Sequence, residues 1–313
     1  MPNLQFTFSL IAATVLFCGT QAVGQSRSGE TIGDRIWIWG HPAGVYNESY
    51  LAKLPKKSAM EPVAAADSMG VRNMIFVRYA GKPAPPFDTY YVPFQKLDRV
   101  YWSLVGASGV TSTHEREQVF RLAETHDNVM GFILDDFFRS SATGPSADPE
   151  TEAGDLPPFE ASLTPQELHA LGQREVRGRK LPIMAVVYTG QISRRAKAHV
   201  AEVDQVCMWT WRPADLTDLE GNLAKLEKLV PDKPIYLGCY MYDFADSRPL
   251  PVEPMQRQTE LGYRWLKERR IQGMIFLATP NVDVDLEAVA WTRNWIARVS
   301  KEPFDGRTSV SQR

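Results

Sequence analysis

Two adjacent carboxylates close an apolar run in the stretch GFILDDFF, residues 131–138. Burying an ionised carboxylate without a partner is costly. Asp135 and Asp136 therefore mark either the open end of a strand or a pair of acids with chemistry to perform. Carboxyl pairs serve as a nucleophile or base together with an acid whose pKa is raised by its surroundings. Side chains alternate along a strand, which puts Asp135 in phase with Gly131 and Ile133, and Asp136 with Phe132 and Leu134. Small and branched residues suit a crowded inner face of a sheet, so Asp135 is the expected inward acid. Asp136 is expected to cap the following loop, to pair with an arginine or to support its neighbour.

Seven further runs resemble the one that carries these acids. They are RIWIWGH (35–41), NMIFVRY (73–79), RVYWSLVG (99–106), LPIMAVVYT (181–189), VDQVCMWTW (203–211), KPIYLGCYMYD (233–243) and IQGMIFLAT (271–279). Near-continuous hydrophobicity is the mark of parallel strands buried on both faces. Between them lie amphipathic segments with helix-start signals: Ser58 with Glu61, Thr164 with Glu167 and Thr217 with Glu220 read as capping boxes. The proline-rich stretch AGKPAPPFDTYYVPFQ leaves room only for a short helix between the second and third runs. Eight such units predict an α/β fold, a single-domain (β/α)8 TIM barrel over residues 25–300. A doubly wound sheet is the competing architecture, but its Gly-rich phosphate turn is not found. The Ser-, Pro- and acid-rich segment 139–162 is a long loop directly after the Asp pair.

In a barrel of this kind the chemistry sits at the C-terminal ends of the strands. That rule brings forward Trp39, His41, Arg78, Tyr79, Asp135, Asp136, Tyr188, Trp209, Trp211, Arg212, Tyr240, Tyr242, Asp243, Thr279 and Asn281, with Asp283 just beyond. The aromatics suit stacking on sugar rings, with Trp209, Trp211, Tyr240 and Tyr242 as the expected platform. Arg78, His41 and Tyr188 are the expected substrate hydrogen-bonders. Asp135 is the expected nucleophile or base, and Asp243 the expected acid, with Asp246, Asp215 and Glu48 as rivals. His114, His126, His169 and His199 fall in helical segments, so no set of strand-end histidines suggests a metal. There is no G-x-S-x-G elbow, and neither metal nor cofactor is expected.

The composition is that of a globular chain of 313 residues, 44% hydrophobic and 23% charged, with a formal charge of -2. It gives no reason to expect a nucleic-acid partner. Residues 1–24 have an apolar core followed by small residues, the layout of a signal peptide, so a secreted or periplasmic location is expected, with no membrane span after its removal. A polar tail is expected over 301–313. Cys207 and Cys239 lie in apolar runs and read as small core residues.

With GFILDD at the end of the fourth strand, the chain resembles secreted (β/α)8 glycoside hydrolases, in layout closest to the α-galactosidase-like and polygalactosaminidase-like groups. The motif match is confined to residues 131–136. The resemblance implies a glycoside hydrolase acting on an oligo- or polysaccharide, with Asp135 as the strand-four acid. The second acid does not carry over, because strands five and six end here in Tyr188-Thr and Trp-Thr-Trp-Arg. Two other readings stand beside it: a carbohydrate-binding barrel without catalysis, and a lyase or isomerase using Tyr188 or His41 as base.

Overall fold

The computed structural model describes residues 29–304, apart from 110, 141 and 155. Eight parallel strands close into a barrel: β1 (Ile36–Gly40), β2 (Asn73–Phe76), β3 (Arg99–Val105), β4 (Val129–Leu134), β5 (Ile183–Tyr188), β6 (Gln205–Trp209), β7 (Ile235–Tyr240) and β8 (Gly273–Leu277). Each is followed by a helix. These are α1 (Pro62–Met69), α2 (Asp88–Tyr91), α3 (Thr113–Thr125), α4 (Pro165–Gly172), α5 (Lys197–Val200), α6 (Leu219–Leu229), α7 (Val252–Lys267) and α8 (Glu287–Val299). The fold is a single-domain (β/α)8 barrel. The expected signal peptide at 1–24 lies outside the described residues, as does all of the expected tail beyond 304.

Alternation decides what fills the barrel and what packs under the helices. Inward, Trp37 meets Tyr101 edge-on at 5.2 Å between ring centroids, and Trp39 meets Trp209 at 5.3 Å. Such rings need small partners opposite. A Cβ at Gly131 would sit 2.5 Å from the Tyr101 ring, and one at Gly238 would sit 2.0 Å from the Trp209 ring. Outward, Phe132 packs on Phe120 of α3 and Phe276 on Trp295 of α8. Each large apolar side chain taken from water this way contributes about 1.5–3 kcal/mol.

The helix starts follow the sequence in part. Thr164 and Glu167 form the expected capping box on α4, and Ser112 with Glu115 forms another on α3. The other two expected boxes do not form. At α1 it is the Asp283 carboxylate, from the β8 side, that accepts the N–H groups of Ala59 and Met60. At α6, Glu220 turns instead to Arg264, Arg270 and the Trp265 indole N–H. In both places a long-range partner replaces the local one. The helix after β2 is indeed short, four residues continued by a 3-10 turn over Val92–Lys96.

The long loop after the Asp pair is docked on its neighbours. Glu152 accepts hydrogen bonds from the Ser193 hydroxyl and the Arg194 N–H, both at 2.7 Å. Ala147 N–H donates to the Ile192 carbonyl, and Phe159 N–H to that of Arg195. These bonds fasten it against the loop that follows β5. Cys207 and Cys239 are buried and free.

Candidate active site

Asp135 follows the last residue of β4, and its N–H still donates to the Val105 carbonyl of β3. The ladder thus holds its Cα in register, and its side chain points inward as the alternation predicts. Only 7% of Asp135 is exposed. Burial, then the charge of Asp136, push its carboxyl well above the usual carboxylate range, while a hydrogen bond from the Asp136 N–H works the other way. No Lys or Arg among the described residues forms an ion pair with it. The site therefore favours the protonated acid, where the sequence reading assigns a nucleophile or base.

At Asp136 the alternation fails. The chain has left the strand, and a φ of +43° swings the side chain out of the phase of Phe132 and Leu134. That left-handed conformation is uncommon outside glycine, but Asp and Asn adopt it more readily than most. The carboxylate meets the Tyr188 hydroxyl at 3.0 Å and the Ser108 N–H at 2.8 Å. The Tyr188 hydroxyl is in turn in hydrogen-bond contact with that of Tyr240. Carboxylate and phenols from β4, β5 and β7 thus form one network over the barrel mouth.

Much of the rest of the mouth is aromatic, with the buried polar side chains of Thr210, Thr279 and Asn281 at the ends of β6 and β8. Tyr46 and Tyr50, from the loop after β1, pack edge-on at 5.3 Å. Tyr46 also meets His41, Tyr79 and Phe244 at 5.4–5.5 Å. Trp211 is half-buried, with Tyr188 and Tyr240 edge-on to its ring at 6.0 and 5.8 Å. Burial, with the charge of the carboxylates, raises the hydroxyls of Tyr46, Tyr188 and Tyr240 well above the ordinary phenol range. They are hydrogen-bonding groups and not phenolates.

Several of the expected site residues have other roles. Asp243 stands in a two-residue strand paired with Arg248–Pro249, and its carboxylate accepts from Arg248 Nε at 2.9 Å and from the Asp246 N–H at 3.1 Å. Asp136 is the carboxylate whose charge bears on Asp135, and Asp243 is not among the groups that do so. Asp243 is therefore a structural ion pair, and so is its rival Asp246, which also binds Arg248. Glu48 is exposed and faces Lys57.

Arg78 lies in phase with Phe76, outside the barrel. Its guanidinium is consumed by Glu115 at 2.6 Å and by the carbonyls of Gly81 and Pro83. It fastens the β2 loop to α3 and does not face the mouth. Trp209 is a fully buried interior ring whose indole N–H points at Cys207 Sγ, and Tyr242 is buried with its hydroxyl on the Tyr50 carbonyl. Of the expected aromatic platform, Trp211 and Tyr240 remain. His41 has both nitrogens in use: Nδ1 contacts the Val77 carbonyl at 2.8 Å and Nε2 accepts from Trp39 Nε1 at 3.0 Å. Burial, partly offset by the Val77 bond, pushes it down to about 4, so it stands as a neutral imidazole.

The sequence reading missed Tyr46, Tyr50, Phe244 and Ser108 altogether. The three aromatics lie on loops, where no periodicity marks direction. Tyr79 is among the strand-end candidates, but the sequence reading gives the substrate-binding role to its neighbour Arg78, although Tyr79 shares the inward phase of Val77 and Arg78 does not.

No family model matches the sequence, and no curated protein does either. Solved structures do match. A candidate alpha-L-fucosidase from Bacteroides thetaiotaomicron superposes with a TM-score of 0.52 at 10% identity, covering 96% of this chain and 100% of that one. The likeness is one of fold. A beta-D-glucuronidase from Dictyoglomus thermophilum gives a TM-score of 0.45 at 11% identity, covering 85% of this chain and 50% of that one. A probable 2-pyrone-4,6-dicarboxylic acid hydrolase from Acinetobacter baumannii gives 0.45 at 11%, covering 84% and 92%. At such identities the comparison speaks for the (β/α)8 barrel alone.

Proposed function

We propose that this chain is a carbohydrate-active enzyme, a glycoside hydrolase. Asp135 is its proton donor, Asp136 the partner carboxylate, and Trp211 with the tyrosines of the mouth forms the sugar-binding wall. One observation carries the reading: a buried carboxyl, without an ion pair among the described residues, stands beside a second carboxylate at the C-terminal end of a barrel strand, where burial and that neighbouring charge favour its acid form. A carboxyl whose surroundings favour its protonated form is how a site keeps a proton donor near neutral pH. The aromatic lining suits a ring with apolar faces and hydroxylated edges. Export, suggested by residues 1–24, belongs to the same proposal and is checked by sequencing the mature N-terminus.

The test is hydrolysis of a panel of chromogenic glycosides and polysaccharides by the wild type and Asp135→Asn, with glycan binding measured in parallel. Cleavage that disappears in the variant while binding remains supports the proposal. Binding without cleavage in the wild type supports the non-catalytic barrel, which the tying of Asp243 to Arg248 favours. Neither binding nor cleavage overturns both. A lyase or isomerase using His41 as base is disfavoured, since both ring nitrogens are occupied.

A further inference from the structure

The carboxylates on the other side of the barrel from the Asp pair are engaged in the fold: Asp243 with Arg248 and the Asp246 N–H, and Asp283 with the N–H groups of Ala59 and Met60. Asp135 and Asp136 come from consecutive residues at one strand end, so they approach a bound sugar from one direction. One can meet the leaving-group oxygen and the other a neighbouring substituent. Opposite faces of the anomeric carbon, which ordinary retaining and inverting pairs flank, are out of their reach. Around them stand the phenols of Tyr46, Tyr50, Tyr188 and Tyr240, whose ionisation one or both of these carboxylates oppose, and the Cys207 thiol, which is fully buried beneath the Trp209 indole N–H and held protonated by that burial. These phenols stay protonated and are poor nucleophiles. His41 has no free nitrogen. If the site hydrolyses glycosides, its nucleophile comes from the substrate.

Resting on the function proposed above, we infer that the substrate is a glycoside of a 2-acylamido sugar, whose own amide oxygen attacks the anomeric carbon. Asp135 protonates the leaving oxygen and Asp136 accepts the amide N–H. In the first step the bond from the anomeric carbon to the leaving oxygen breaks. Its electron pair stays on that oxygen, which takes the Asp135 proton. The amide oxygen bonds to the anomeric carbon while the amide proton passes to Asp136, giving a neutral oxazoline. In the second step water attacks the anomeric carbon and gives a proton to the Asp135 carboxylate. The electron pair of the breaking bond returns to the amide oxygen, and Asp136 returns its proton to the nitrogen. The sum is one water added across the glycosidic bond, with configuration retained.

The structure suits Asp136 to this task. The Tyr188 hydroxyl occupies Oδ1 and the Ser108 N–H occupies Oδ2, which fixes the carboxylate plane. A carboxylate has about four lone-pair sites, so two bonds leave acceptor capacity for an incoming N–H. The residue is half-buried, where Asp135 behind it is closed in. Tyr188 and Ser108 are positioning residues in this scheme.

The test compares matched 4-nitrophenyl glycosides of gluco and galacto configuration that differ only in carrying a 2-acetamido or a 2-hydroxyl group. The wild type is expected to cleave the acetamido member at least about 100-fold better in kcat/KM, since only that substrate brings its nucleophile into place. The thiazoline analogue of the same sugar should inhibit competitively. Asp136→Asn, which tolerates the left-handed backbone, should slow the acetamido substrate by about 100-fold. Should Asp136→Asn not fold, thiazoline inhibition of the wild type decides the matter. Cleavage of the 2-hydroxyl sugars as fast as the acetamido ones, without thiazoline inhibition, overturns this inference and leaves glycoside hydrolysis standing. No cleavage or binding of either kind, with polysaccharides also inert, overturns the inference together with the function it rests on.

Discussion

The ends of β4 and β7 both carry a buried aspartate, and the two differ in what faces them. Asp243 is 1% exposed, and Arg248 neutralises it from a hairpin five residues away in sequence. Asp135 is nearly as buried, at 7%, and faces a second carboxylate and a ring of phenols. A buried charge with its own counter-ion is accounted for by folding. A buried acid set beside another acid raises the free energy of the folded chain, and such costs concentrate at functional sites. Position at a strand end therefore nominates an aspartate, and the neighbouring charge decides what it does.

Exchanging each acid for its amide should break the symmetry most sharply. Asp135→Asn should lower kcat about 1,000-fold on any glycoside the wild type cleaves, the scale of a lost general acid. It should also raise the melting temperature at neutral pH. Because the folded chain holds Asp135 above its unfolded value, its stabilising contribution is complete at low pH and is lost as pH rises through the folded value. An amide removes that loss. Asp243→Asn should lower the melting temperature and leave the activity of the folded fraction near that of the wild type. Equal losses of activity in the two variants would erase the distinction between the two ends.

His41 gives the opposite pH dependence on the same rim. Its folded value of about 4 lies below the ordinary 6.5. Its contribution is therefore complete above pH 6.5 and lost as pH falls towards 4, by up to about 3 kcal/mol over that window. Denaturation followed between pH 4 and 7 should show this slope, and His41→Gln should flatten it. A slope unchanged in the variant would mean that other groups set the acid limit.

Arg248→Ala probes the β7 end from the other side. The arginine is 64% exposed and the carboxylate it leaves behind is 1% exposed. The cost is then that of a buried acceptor keeping only the Asp246 N–H, about 1–3 kcal/mol by chemical denaturation. Activity per folded molecule should not change, which is the point of contrast with β4.

The strands were legible because each is buried on both faces, and continuous hydrophobicity is a strong signal of that. Asp135 was legible for a related reason: period-two alternation runs unbroken from Gly131 through Ile133 to it. The same rule, extended to β7, puts Tyr240 and Tyr242 in phase with Gly238 and Asp243 out of phase with all three. Applied to β2 it prefers Tyr79 to Arg78. Those corrections were available in the sequence and needed only the register. Two things were not available. The turn at Asp136 depends on a left-handed backbone that no residue pattern announces. The closure of the mouth by Tyr46, Tyr50 and Phe244 depends on where irregular loops fold back, which local propensity does not encode. The two missing capping boxes failed likewise, because Asp283 and Arg270 arrive from more than forty residues away.

The smallest expected effect falls on the hydrogen bond that joins the two halves of the site. Tyr188→Phe keeps the ring against Trp211 and removes the hydroxyl that Asp136 accepts at 3.0 Å. If Tyr188 only packs the mouth, stability changes by a few tenths of a kcal/mol and kinetics stay the same. If it positions Asp136, kcat should fall about 10-fold, which corresponds to about 1.4 kcal/mol, with KM nearly constant. The pH profile should shift as well, because the carboxylate beside Asp135 then loses one of its two donors and its charge bears differently on the acid. That shift separates the two roles, since a packing defect would lower activity at every pH alike. At Asp243, where no phenol shares the carboxylate with a second acid, no comparable substitution should move the profile.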